Sequence, residues 1–171
     1  MATILLTALI LLIATPVLGE ELYSMPKNVE SRWASFENPT GAKGQGGKSN
    51  QGAKGAAFDT IAAGETRTLM EAAGPGTIRR IWCTLSNRDP KSLRAYVLRF
   101  YWNGAEHPAV EVPLGDFFGA VLGKMTAYES DLFASPEGRS LCCFVPMPFR
   151  TAAKVTFTNE SDTDLPQLFY D

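Results

Sequence analysis

The chain has 171 residues, with 16 Lys or Arg, 18 Asp or Glu and a net charge of -2. That balance gives no electrostatic argument for nucleic acid or an anionic membrane as partner, and the single histidine, His107, rules out a histidine metal cluster and argues against a catalytic triad. No metal and no cofactor is expected.

None of the charged residues falls in the first 19 positions, where Ile4 to Leu18 is an apolar run too short to span a bilayer comfortably. Val17-Leu18-Gly19 suits a signal peptidase, so residues 1–19 are expected to be a cleaved leader. The product is then secreted or periplasmic, begins at Glu20 and has no membrane association once the leader is gone. An uncleaved anchor is the alternative. The remaining roughly 150 residues suit one domain, residues 20–171, with a real hydrophobic core.

Glu20 to Glu30 is polar and irregular, and Ser31 to Phe36 suggests a short strand. Arg32 to Gly55 then carries six glycines and three lysines with almost no apolar residue after Phe36, so it must be a loop. At least one of Gly41, Gly44, Gly46 and Gly47 is expected at positive φ if the loop is structured. Ala42 to Ser49 nearly spells a phosphate-binding loop. Its context is wrong, because such a loop follows a buried strand and opens a helix, whereas this one follows Glu37-Asn38-Pro39.

From Thr66 the pattern is β throughout. Thr66 to Ala72 reads as a strand, Ala73 to Gly76 as a turn, Thr77 to Leu85 as a strand, and Ser86 to Ser92 as a turn around Asp89-Pro90. Arg94 to Trp102 places Tyr96, Leu98, Phe100 and Trp102 on one face, Asn103-Gly104 supplies a type I′ turn, and Ala109 to Val112 resumes the alternation up to Pro113. Trp82 and Trp102 read as core residues. Leu114 to Gly138 is a long excursion with a short helical turn near Gly115-Asp116-Phe117-Phe118-Gly119. Leu141 to Met147 and the alternating Ala153, Val155 and Phe157 return to strand. Asn159-Glu160-Ser161 is formally a glycosylation sequon, although a polar turn over Asn159 to Asp164 explains it more simply.

Leu165 to Asp171 begins another apolar strand. The absence of any cap or polar tail suggests a truncated product whose Leu168 and Tyr170 share an exposed, association-prone face. Seven or eight strands without a convincing helix suggest an antiparallel sandwich or jelly roll. The three cysteines, Cys83, Cys142 and Cys143, allow at most one bridge and read better as small buried apolar side chains.

Two carboxylates have a context that suits carbohydrate. Glu37 enters the glycine loop, and Asp116 precedes two phenylalanines; rings that stack and carboxylates that bind hydroxyls are the chemistry of sugar sites. The plainer reading makes Glu37 a turn cap and Asp116 the start of a helical turn, with Phe117 and Phe118 as core.

Five blocks in order carry a resemblance: Arg32 to Gly44, Gly74 to Trp82, Pro113 to Gly119, Phe144 to Arg150, and Thr158-Asn159-Glu160 with Phe169-Tyr170-Asp171. They resemble the N-terminal half of glycoside hydrolase family 172, formerly the uncharacterised domain family 2961. The resemblance implies the first jelly roll of a double-jelly-roll, capsid-like architecture that assembles through trimers. It also implies a retaining enzyme acting on α-D-fructofuranosides, difructose anhydrides or D-arabinofuranosides, whose catalytic glutamates belong to a later part of the chain. On that footing no catalytic residue is assigned here. Glu37, Asn38, Gly41, Lys43, Asp116, Phe117 and Phe118 are expected to line a sugar-binding pocket. The alternative is a non-catalytic jelly-roll module for carbohydrate binding or assembly.

Overall fold

The computed structural model describes Ser24 and residues 26–48, 50–53, 55–120 and 122–171; the expected leader lies outside these residues. The chain divides into two units, Met1–Ser31 and Arg32–Asp171. In the first, the Val29 amide donates to the Pro26 carbonyl at 3.3 Å. All the strands lie in the second.

The elements run β1 (Asp59–Ile61), β2 (Thr66–Ala73), β3 (Gly76–Ile78), β4 (Ile81–Leu85), α1 (Pro90–Ala95), β5 (Tyr96–Trp102), β6 (Val110–Pro113) and α2 (Leu114–Phe117). They continue with β7 (Tyr128–Glu129), β8 (Phe133–Ser135), β9 (Ser140–Cys143), β10 (Met147–Phe149), β11 (Ala152–Asn159) and β12 (Leu165–Tyr170). One sheet has the order β1-β12-β4-β9-β8-β7, a second the order β2-β11-β5-β6, and β3 pairs with β10. Every ladder is antiparallel. The fold is therefore all-β, as expected, and consistent with a jelly-roll sandwich.

The two larger sheets share one core because strand side chains alternate between faces. Leu98 and Phe100 of β5 and Val155 and Phe157 of β11 meet Cys83 and Leu85 of β4, Leu141 and Cys143 of β9, and Leu168 and Tyr170 of β12 in a single buried cluster. Each large side chain buried this way contributes about 1.5–3 kcal/mol of transfer free energy. On the opposite face of the six-stranded sheet, Trp82 stands opposite Cys142 and Phe169 opposite Thr84, and none of the four joins the core.

One polar contact also ties the sheets together. In the β2–β11 ladder Met70 pairs with Val155 and Thr68 with Thr156, so Leu69 is skipped by a bulge. The Tyr170 hydroxyl, on the other sheet, donates to the Leu69 carbonyl at 2.6 Å in the interior.

Several sequence expectations need correction. The last strand is not an unpartnered edge. It sits between β1 and β4, with Leu168 1 % and Tyr170 5 % exposed, because the β2-β11-β5-β6 sheet covers the face that the sequence leaves bare. Ser31 to Phe36 forms no strand, only an isolated bridge from Ser35 to Asn38. Thr77 to Leu85 divides into β3 and β4 around the exposed Arg79-Arg80, and Leu141 to Met147 divides into β9 and β10. Short strands at Asp59–Ile61, Tyr128–Glu129 and Phe133–Ser135 bring the number to twelve among the described residues. The turn around Asp89-Pro90 is a helix N-terminus: the Asp89 carboxylate accepts from the Lys91 and Ser92 amides, and Pro90 occupies the first helical turn. Trp82 is half-buried on the outer face, whereas Trp102 packs against the core.

Candidate functional site

The glycine stretch is a folded object. Glu37 Oε1 accepts from the Ala56 amide at 2.9 Å and from the Gly55 amide, while Oε2 accepts from the Gly47 amide at 3.3 Å. One carboxylate thus gathers three main-chain donors from two distant segments of the loop. Asn38 acts locally: its Oδ1 accepts from the Ala42 amide at 3.0 Å and the Thr40 hydroxyl at 3.3 Å, and its Nδ2 donates to the Ala42 carbonyl at 3.0 Å. With 6 % exposure, Asn38 is part of the framework. Gly41, Gly44 and Gly47 have positive φ, as a structured loop requires. Gly41 is buried against Arg32 and Trp33 at φ +60, where a side chain would be strained. Lys43 is exposed. Among the described residues no strand leads into Ala42 and no α-helix follows Lys48, so the frame of a phosphate loop is missing.

Phe36 anchors the entrance of the loop to the sandwich, edge-on to Tyr170 with ring centroids 4.7 Å apart. The Arg67 guanidinium lies 5.9 Å from the Phe36 centroid.

Asp116 has different support. It lies in α2, its Oδ2 2.6 Å from Arg94 Nη1 of α1, while Oδ1 is buried with no hydrogen-bond partner among the described residues. Phe118 is fully buried, and Phe117 stacks among Phe100, Phe118 and Phe133 at centroid distances of 4.8–5.8 Å. These rings form a wall of the core. Beside them a shallow cleft with only about 10 Å³ of open space is lined by Phe118, Gly119, Lys124, Tyr128 and Ser135, among others. The Tyr128 hydroxyl donates to the Phe118 carbonyl across it, and the buried Ser135 Oγ has no partner. Small-molecule pockets usually enclose about 300–1,000 Å³, so this cleft is too small to enclose a sugar ring.

Glu37 and Asp116 are therefore held by supports that share no residue, loop amides for one and Arg94 for the other. Glu37, Asn38 and Gly41 share the loop, and Asp116, Phe117 and Phe118 share α2 and its C-cap.

A third group is not among the residues to which the sequence points. Trp33 is 58 % exposed, and the Arg80 guanidinium stands 5.3 Å from its ring centroid. Arg80 Nη2 reaches both carboxylate oxygens of Asp171 at 2.7 and 2.8 Å. Asp171 in turn exchanges main-chain hydrogen bonds with Trp82 at 2.8 and 2.9 Å. Two signals could have found it: a tryptophan with no periodic apolar neighbours, and an arginine pair interrupting an apolar run.

Cys83, Cys142 and Cys143 are free thiols. Burial pushes all three up from the ordinary thiol range, with Arg80 partly offsetting the effect at Cys142, so none is an activated nucleophile. Asn159 is fully buried, its Nδ2 donating to the Ile61 and Thr163 carbonyls at 3.0 and 2.9 Å, which leaves no room for a glycan. No cluster of His, Cys, Asp or Glu among the described residues converges to hold a metal ion. No helix among them is long and apolar enough to cross a membrane.

Residues 54–170 match the sequence model of a family described as GH172 domain-like. All twelve strands and the Asp116 group fall within that span, whereas Trp33, Glu37, Asn38, Gly41 and Lys43 precede it. A search of curated proteins found no match.

Proposed function

The chain belongs to the GH172 domain-like family, and from that premise we propose that it forms the first jelly roll of an exported furanosidase whose catalytic glutamates follow it in sequence. The carrying observation is the family match across every strand of the sandwich. The substrate class is the α-D-fructofuranoside, difructose anhydride or D-arabinofuranoside class, hydrolysed with retention by a protein assembled as a trimer or higher homo-oligomer.

Chemistry supports placing the catalytic pair elsewhere. Retaining hydrolysis needs a nucleophile and an acid/base about 5–5.5 Å apart across the scissile bond. The two carboxylates with suitable neighbours, Glu37 and Asp116, are committed to three amides and to Arg94 respectively. A carboxylate that holds a loop or an arginine is a poor nucleophile, because attack would dismantle its support. On this reading Glu37 and Asn38 keep the loop in shape, Lys43 presents a donor at its surface, and Asp116, Phe117 and Phe118 back the wall behind the binding surface.

The test is furanoside hydrolysis by the 171-residue chain and by a version extended through a second jelly roll. Turnover by the extended chain alone is expected. Turnover by the short chain that vanishes in Glu37→Gln or Asp116→Asn would overturn this placement. A second reading, a non-catalytic carbohydrate-binding or assembly module, is favoured by the small cleft; inactivity of both proteins on every furanoside would select it.

A further inference from the structure

The outer face of the six-stranded sheet carries an arrangement that neither packing nor the loop explains. Trp33 leaves more than half of its surface in solvent, although an indole is among the costliest side chains to leave there. It is held in place, because Arg80 lies against its ring and is itself fixed by the Asp171 carboxylate, whose main chain is locked to Trp82 of β4. The arginine and the carboxylate are thus positioned beside the β4–β12 ladder, the indole lies against that arginine, and Trp82 and Phe169 stand on the outer face of the same ladder.

We propose that Trp33, with Arg80 and Asp171 behind it, is a carbohydrate-stacking subsite outside any catalytic pocket. The choice of ligand class rests on the furanosidase reading. A furanose ring has an apolar patch of C–H bonds beneath a rim of hydroxyls that both donate and accept, so its surface suits an aromatic plane beside polar groups. The indole supplies the plane. Arg80 supplies donors: of the guanidinium nitrogens only Nη2 is engaged by Asp171, leaving Nε and Nη1 to meet hydroxyls. A protein partner would have to bury the 44 % exposed guanidinium of Arg80 at a desolvation cost, whereas a hydrated polyol at the rim would not. The subsite would hold a chain remote from the scissile bond, which increases residence on a polymer without altering the chemical step.

The test uses the 171-residue chain with its indole N–H groups followed by NMR during titration with an α-D-fructofuranosyl oligosaccharide and, separately, a D-arabinofuranose oligosaccharide. One of the two should move the Trp33 resonance, and Trp33→Ala should weaken binding roughly tenfold or more, as expected for removal of an aromatic anchor. Arg80→Met should weaken it several-fold, and Leu132→Ala, an exposed apolar residue elsewhere, should leave it unchanged. Because Trp33 is exposed, an unchanged melting curve verifies that its variant folds. The proposal is overturned by a Trp33 resonance that neither sugar moves, by binding that survives Trp33→Ala, or by a Trp33→Ala change in sedimentation without any sugar response, which would make the face a contact between copies. Its failure is separable from that of the enzymatic reading: turnover by the extended chain with no Trp33 response defeats the subsite alone, and sugar binding at Trp33 without turnover defeats the furanosidase alone.

Discussion

Tyr170→Phe removes a single oxygen atom from the interior and isolates the link between the two sheets. The bulge at Leu69 takes that residue out of the β2–β11 register, and its carbonyl accepts the Tyr170 hydroxyl at 2.6 Å. Phenylalanine keeps the ring, its burial and its edge contact with Phe36, so the change leaves one buried acceptor unsatisfied and little else. Such an orphaned group costs about 1–3 kcal/mol. With a urea slope of about 1–3 kcal/mol per molar, a loss of about 2 kcal/mol lowers the denaturation midpoint by roughly 1 M at unchanged slope. Equilibrium urea unfolding followed by far-UV circular dichroism and by tryptophan fluorescence measures it. A midpoint within about 0.2 M of the parent value would refute the reasoning, since the Leu69 carbonyl would then be satisfied without Tyr170.

Gly76→Ala tests the contact between the two glycines around Pro75 and the β10 strand. A Cβ at Gly76 would come within 2.5 Å of the Phe149 ring, so an overpacking loss of about 1–3 kcal/mol is expected; Phe149→Leu should recover part of it, and strict additivity of the two changes in urea unfolding would contradict the contact. The pH dependence of stability follows from groups at both ends of the scale. Burial raises Tyr170, Tyr96, Cys83 and Cys143 in the folded state, so the unfolded chain loses these protons first and stability should fall as pH rises above about 8.5 for the thiols and about 10 for the tyrosines. The carboxyls of Asp59, held low chiefly by its hydrogen bond from Arg67, and Glu65, held low first by the Ala62 amide and then by Arg67, act in the opposite sense. Their stabilisation is present above about pH 4.5 and lost as pH falls further; with solvent still reaching both carboxyls, they give a shallow acid limb. A urea midpoint that stays flat to pH 10 would contradict the alkaline half of this scheme.

The hairpin was the most legible element. Alternating Tyr96, Leu98 and Phe100 are all core, and Asn103-Gly104 adopts the two positive φ angles that its residues favour. That signal is local: period two, then a dipeptide with few backbone options. Strand β12 is hard to read for the opposite reason, because the sheet that buries Leu168 and Tyr170 is built from residues 66–73, 96–113 and 152–159, and no local pattern announces it. Helix α1 was hidden by its shortness, although Asp89-Pro90 is the cap and first-turn pair that opens a helix. Of the site, residue types were readable and allegiances were not. A glutamate beside glycines looks equally suited to a ligand or to loop amides, and only the folded path of Gly47, Gly55 and Ala56 shows that Glu37 serves the amides. Trp33 and Asp171 are far apart in sequence, and Arg80 unites them only after β4 and β12 have paired.

The interior position of β12 also has a consequence in time. Asp59 of β1 pairs with Leu168, and Leu85 of β4 pairs with Leu168 from the other side, so two strands made early share a neighbour made late. At synthesis rates of roughly 5–20 residues per second, β1 emerges several seconds before anything can pair with it. The β5–β6 hairpin forms from neighbouring sequence, whereas β1 and the β12-facing edge of β4 stay open to foreign strands throughout that interval. The β4-β9-β8-β7 part of the six-stranded sheet can form before then, but β1 joins it only through the insertion of Leu165–Tyr170. Nascent chains halted before Leu165 should therefore be the species that holdase chaperones capture and proteases clear.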